Sequence, residues 1–194
     1  MKMGAFVLAY HGCDKSVGEA LIAGSTSFKA SQNDYDWLGH GIYLWENNPK
    51  RAMDWAKFMA AHPTFRKRVK EPYAVGAIVD LGNCLDLTES HSLEMVSAGY
   101  DSLKAIFALD QQSLPENKQG DAGDVDLIRR NLDCAVINHV HDLRKKANMP
   151  TYDTVRGAFH EGEALYPGAG IKRKTQIAVR TLSNIVGVFK IRGL

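Results

Sequence analysis

The 194-residue sequence predicts an α+β fold with a mixed or antiparallel β core and a helical insert, and three observations predict it. First, short apolar runs rich in β-branched and aromatic residues recur along the chain: AFVLAY (5–10), GIYLW (41–45), AVGAIVDL (74–81), TVRGAF (154–159), TQIAVR (175–180) and NIVGVFKIR (184–192). Second, the middle, from about Ser90 to Ala147, carries apolar residues at the helical period in two stretches, SLEMVSAGYDSLKAIFALD and DVDLIRRNLDCAVINHVHDLRKKA. Third, strands and helices do not alternate along the whole chain. That argues against a doubly wound parallel sheet.

The elements follow in order. Residues 5–10 read as a buried first strand. Ser16 to Ala23 read as a short helix capped by Ser16 and stopped at Gly24. A polar, turn-rich loop over 25–36 leads into the GIYLW strand. Asn47-Asn48-Pro49 then opens a helix, because proline at a first helical position has its φ already set and needs no amide partner. In that helix Ala52, Trp55, Ala56 and Met59 fall on one face. AVGAIVDL ends at the turn signal Gly82-Asn83. The polar stretch QQSLPENKQGDAGD separates the two helical segments as a linker. After Pro150 come a strand, a glycine-rich loop EGEALYPGAG, and the final two strands.

Composition bounds the rest. The length fits one domain over 1–194 with a core of ordinary size. A formal net charge of +2 imposes no nucleic-acid partner, although Arg66–Lys70, Arg144–Lys146 and Lys172–Lys174 are local basic clusters. No apolar run is long enough to span a bilayer, and no membrane partner is expected. The amino terminus has no small-residue cleavage site and reads as a strand, not a signal peptide. Three widely spaced cysteines, Cys13, Cys84 and Cys134, without a CxxC pair fit reduced thiols in a cytoplasm. Cys13 is a nucleophile by chemistry and a small half-buried residue by context.

Two segments carry chemistry. Tyr10-His11-Gly12 closes the first apolar run, and Trp37-Leu-Gly-His-Gly-Ile-Tyr43-Leu-Trp45 sets a tyrosine in mid-strand after two glycines. In this order they resemble the NAD-binding core of the ADP-ribosyltransferases, in the histidine–tyrosine branch that includes the poly(ADP-ribose) polymerases. The segment around Gly82-Asn83 is similar to the next strand of those polymerases. TQIAVRTLSNIVGVFKIR is similar to their last strand pair without a gap. The resemblance covers about the first half and the last tenth of the chain, and the helical middle has no counterpart in it.

The resemblance implies the ADP-ribosyltransferase fold and NAD as co-substrate, with no metal. Cleavage of the bond between nicotinamide and ribose passes through an oxocarbenium-like state, so the site must position NAD rigidly and wall the nicotinamide. His11 would contact a ribose hydroxyl, Gly12 would offer backbone groups to the carboxamide, Tyr43 would stack on the nicotinamide, and Trp55 falls where a second aromatic wall is expected. At one place the pattern departs from the branch: its catalytic glutamate is replaced here by Gln176. A glutamine hydrogen-bonds a hydroxyl but is neither a base nor a charge, so chain elongation is not expected. Glu161 and Glu163, in the loop before that strand, are the alternative carboxylates, or else solvated loop charges. Arg156 is either a bidentate ligand of the NAD pyrophosphate or a surface ion pair.

The expected activity is mono-ADP-ribosylation of a macromolecular acceptor, protein or nucleic acid, with release of nicotinamide. The whole pattern is similar to compact bacterial transferases that act as toxins or in phage defence, which implies an antitoxin protein as a possible partner. Three other readings use the same residues. Water as acceptor makes an NAD glycohydrolase; an RNA 2′-phosphate as acceptor would enlist Arg156 and Arg180; a decayed site would bind NAD or ADP-ribose without turnover. A metal hydrolase built on His139 and His141 is rejected, since residues two apart on a helix diverge. His40 lies between the motif glycines and lines either the cleft or only the loop. Trp37 and Trp45 read as core.

Overall fold

The computed structural model describes residues 6–62, 69–119, 127–160 and 173–193. In chain order these form β1 (Phe6–Asp14), α1 (Lys15–Ile22), β2 (Ile42–Glu46), α2 (Pro49–Ala61), β3 (Pro72–Asp80), β4 (Cys84–Asp86) and α3 (Ser90–Leu109). There follow β5 (Asn117–Lys118), β6 (Arg129–Arg130), α4 (Asn131–Lys146), β7 (Thr154–His160), β8 (Arg173–Val179), a 3₁₀ turn and β9 (Ile185–Lys190). Seven strands make one sheet in the order β4-β7-β8-β2-β1-β3-β9. All its pairs are antiparallel except β4 with β7. The chain is therefore α+β with a mixed sheet.

Strand alternation divides the core. Ala9, Ile42, Leu44, Val75, Ala77, Val79, Ile177 and Val179 turn to one side, where Leu21 of α1 and Phe28 cover them. The intervening positions turn to the other side. There Leu38, Leu85, Val155 and Ala178 pack with Ile137 of α4, and Trp45, Ala74 and Phe159 with Ala52 of α2. Period-2 strands covered by helices on both sides account for the apolar runs read in the sequence.

Several boundaries differ from the sequence reading, each for a local reason. β1 continues to Asp14, so His11 and Gly12 lie inside the strand rather than at its end. The extension is held by β3, which pairs with β1 from Phe6↔Asp80 to Asp14↔Pro72. Asp14, not Ser16, caps α1: its carboxylate accepts from Ser16 N (3.0 Å), Lys70 N (2.8 Å) and Glu71 N (3.1 Å). One carboxylate thus ties the helix start to the approach to β3. Asn48 caps α2 as its sequence indicates, accepting from Arg51 N at 3.0 Å, with Pro49 as first helical residue.

The helical insert contains a two-residue ladder: β5 falls in the expected linker, but β6 falls in the stretch read as helix, so that α4 begins only at Asn131. The ladder brings Asn117 to the start of α4, whose Leu132 and Asp133 amides donate to Asn117 Oδ1 at 2.9 and 3.3 Å. The cap of α4 thus comes from a residue 15 positions upstream of Leu132, a signal no local window contains. α3 and α4 pack closely, and a Cβ at Gly99 would stand 2.4 Å from Val140 Cγ2.

Candidate functional site

The site forms where the β1–β2 ladder stops. β2 pairs with β1 only at Ala9↔Glu46 and Tyr10↔Trp45, and the next residue of β1 is His11. Its Nδ1 lies 2.9 Å from the backbone carbonyl of Tyr43. A carbonyl only accepts, so Nδ1 carries a proton, and in the neutral tautomer this leaves Nε2 as the acceptor. Phe28 meets the imidazole edge-on at 5.5 Å, which fixes its plane. Strand register thus brings together His11 and Tyr43, which are 32 positions apart in the chain.

The Tyr43 hydroxyl is fully engaged, donating to Gly39 O (2.8 Å) and accepting from Leu38 N (2.9 Å). Burial drives its pKa well above the ordinary phenol value, so it stays neutral. Gly39 has φ +73°, a left-handed conformation that suits glycine, and this turn lets its carbonyl reach the hydroxyl. The motif glycine therefore orients the tyrosine. The residue also packs against the cluster of Leu38, Ile137 and Ala178.

Gly12 stands against α2. A Cβ there would lie 2.1 Å from the Ala52 carbonyl oxygen, so only glycine permits this approach of helix to strand. In the same helix Trp55 stacks on Phe58 at 5.4 Å, and Arg51 lies over Trp45 (4.5 Å) and Trp55 (5.6 Å). Gly12 thus packs on the helix that carries Trp55, and is covered by that helix's backbone.

Gln176 is brought into the same part of the sheet. The pairs Tyr10↔Trp45 and Trp45↔Gln176 put β1, β2 and β8 in one row. Its side chain follows Trp45 to the side covered by α2 and α4, whereas His11 follows Ala9 to the side covered by α1. Trp37 Nε1 donates to Gln176 Oε1 at 2.6 Å. Trp37 in turn packs on Phe159 at 5.2 Å. This partner for Gln176 was missed: the two lie 139 positions apart, and Trp37 read only as core.

Arg156 resolves as an ion-pair hub. Its Nε and Nη2 donate to Glu46 Oε2 and Oε1 (2.6 and 3.1 Å), and its Nη1 donates to Asp86 Oδ2 (2.7 Å). The bond to Glu46 is the largest cause holding the guanidinium above its ordinary pKa. A pyrophosphate would have to displace these carboxylates. Replacing Arg156 by Met leaves two largely buried carboxylates unpaired, and we expect a loss of roughly 3 kcal/mol in urea unfolding, with unchanged stability as the contrary result. Glu46 and Asp86 carried no signal for this role in the sequence. Glu161 and Glu163 lie outside the described residues.

The remaining candidates separate plainly. Cys13 is buried and burial pushes its thiol up to about 11, which suits a packing residue better than a nucleophile. His139 Nε2 meets Ser102 Oγ at 3.0 Å, whereas His141 packs edge-on to Tyr152 at 5.7 Å, so the pair diverges as helix geometry requires. Arg180 donates from Nη1 to His40 O (2.9 Å) and Asn138 Oδ1 (3.3 Å). His40 itself lines a cavity of about 370 Å³ with Asp34, Asn131, Cys134 and Asn138. Among the described residues no group of three metal-ligating side chains occurs, and no helix is long and apolar enough to cross a membrane.

His141 sets a pH dependence. It is 3% exposed, neither ring nitrogen has a partner, and burial, with Arg180 and Arg144 nearby, pushes its pKa down to about 3. The unfolded chain takes up a proton below about 6.5 while the folded chain does not. This contribution is therefore neutral above that value and destabilising as pH falls toward 3. Between pH 7.5 and 5 the wild type should lose about 2 kcal/mol more than His141→Phe. Parallel pH profiles of the two proteins in urea would contradict this.

No family model, no curated protein and no solved structure matches this chain.

Proposed function

We propose that this chain is an NAD-dependent mono-ADP-ribosyltransferase that releases nicotinamide and modifies a macromolecular acceptor, protein or nucleic acid. One observation carries the reading. His11, Tyr43 and Gln176, scattered through the chain, come to neighbouring positions on the adjacent strands β1, β2 and β8 where the β1–β2 ladder ends, with the His11 side chain on one side of the sheet and those of Tyr43 and Gln176 on the other. His11 and Tyr43 are residues on which the resemblance to the histidine–tyrosine transferases rests, and Gln176 stands where that branch has its glutamate.

In this reading His11 Nε2 accepts from a ribose hydroxyl and holds the sugar while the nicotinamide departs. Its Nδ1 bond to Tyr43 O fixes the tautomer that makes this possible. Tyr43, anchored through its hydroxyl, walls the nicotinamide, with Trp55 as the second aromatic wall. Gln176 orients by hydrogen bonding only. A carboxylate for acceptor activation then comes from elsewhere, Glu161 and Glu163 being the candidates. Bond cleavage rests chiefly on positioning, which alone supplies large rate factors.

Labelled NAD, the protein and a bacterial lysate test this directly, with aliquots divided between protease and nuclease. We expect label on macromolecules that one of the two treatments removes. Free nicotinamide without macromolecular label would replace the transferase by a glycohydrolase, and no turnover at all would contradict both. The Trp37 bond to Gln176 favours a second reading, a module that holds NAD without cleaving it, because it leaves the glutamine less available to substrate. Tight NAD binding without nicotinamide release would establish that one.

A further inference from the structure

Two arginines near the aromatic cluster of the site differ sharply in their partners. Arg156 gives three of its donors to the carboxylates of Glu46 and Asp86. Arg130, the last residue of β6, has a single ion-pair contact at the edge of range, Nη1 to Asp133 Oδ2 at 3.4 Å. Its Nε is shut off from water and has no hydrogen-bond partner. A guanidinium N–H removed from water without an acceptor costs free energy that the fold does not recover, so a second role is needed to account for it. Helix stability does not supply that role. Arg130 is the amino-terminal cap residue of α4 and makes no side-chain cap bond, and a cation at that end opposes the helix dipole.

Its location supplies one. The Arg130 guanidinium stands 6.0 Å from the Phe159 ring, Phe159 packs on Trp37 at 5.2 Å, and Trp37 donates to Gln176. Arg130 is thus linked through two aromatic rings to the glutamine of the proposed site. Turning its Nε–Nη2 edge outward would give up the long contact to Asp133 and the contact with the Phe159 ring. That edge matches two oxygens of a phosphate in the bidentate geometry arginine favours.

We propose that Arg130, supplied by the helical insert, is the diphosphate ligand of this site, in the place the sequence suggested for Arg156. The assignment rests on the reading of the site as an NAD site. The insert is then part of the ligand-binding machinery, and the orphaned Nε gains its acceptor when the nucleotide binds.

Calorimetric titration of the full chain with NAD and, separately, with inorganic pyrophosphate tests it, using wild type, Arg130→Gln and Arg130→Lys. Loss of charge-assisted bonds of this kind should weaken both ligands about 10-fold or more in Arg130→Gln, with partial recovery in Arg130→Lys and melting temperatures near wild type. NAD binding that is equal in wild type and Arg130→Gln overturns the assignment and leaves the NAD reading intact. Pyrophosphate binding that depends on Arg130 in a chain that ignores NAD upholds an anion site and removes the NAD reading. Binding of neither ligand to wild type overturns both.

Discussion

Replacing His11 by Ala should lower NAD-dependent nicotinamide release by roughly 100-fold or more, the scale on which removal of one preorganised transition-state contact acts. The loss should fall on turnover more than on NAD affinity, since the contact is proposed to strengthen as the ribose becomes cationic. His11 also touches Phe28 and the Tyr43 carbonyl, so some stability should go with it. The variant must therefore be compared at equal folded fraction, established by its unfolding curve. His11→Gln, which can retain a bond to the carbonyl, should recover stability and little activity. Equal nicotinamide release by wild type and His11→Ala would sink the assignment of this residue.

Gly12→Ala should be the most destabilising single-methyl change in the site. The added Cβ would stand 2.1 Å from the Ala52 carbonyl oxygen and 3.1 Å from Ala56 N, both backbone atoms of α2. Backbone cannot rotate aside as a side-chain tip can, so the whole helix must move away from β1. Overpacking of this kind costs roughly 3 kcal/mol, and the shift would also carry Arg51 away from Trp45. Gly76→Ala provides the contrast. Its Cβ would meet the Phe189 ring at 2.2 Å, and that ring lies on the edge strand β9, so a smaller penalty is expected. Urea midpoints measure the order, and a Gly12→Ala protein as stable as wild type would show that α2 is not seated as described.

What was legible in the sequence were features with a local or periodic cause. β2, β3, β7, β8 and β9 announce themselves as apolar runs, and Asn48-Pro49 marks α2 because cap and first helical residue are adjacent. His11, Gly12 and Tyr43 stood out only through the resemblance of their two segments, in this order, to the histidine–tyrosine transferases. The rest depends on contacts that the chain order hides. The three-residue β4 has no pattern of its own, and its last residue, Asp86, is held by Arg156 from 70 positions away. The cap of α4 comes from Asn117 across the β5–β6 ladder, and Trp37 reaches Gln176 only after β8 has paired with β2. The helix over Lys15–Ile22 starts earlier than the Ser16 reading because Asp14 also binds two amides before β3, which no short window shows.

The central claim is that this chain takes nicotinamide off NAD at the His11–Tyr43 junction. Proton spectroscopy of NAD incubated with the purified protein and a lysate follows that bond most directly, because the ring protons of free and bound nicotinamide are resolved in one spectrum. The account predicts free nicotinamide accumulating in proportion to the protein added, and not with His11→Ala. An NAD spectrum that stays unchanged and unbroadened with every lysate would contradict it.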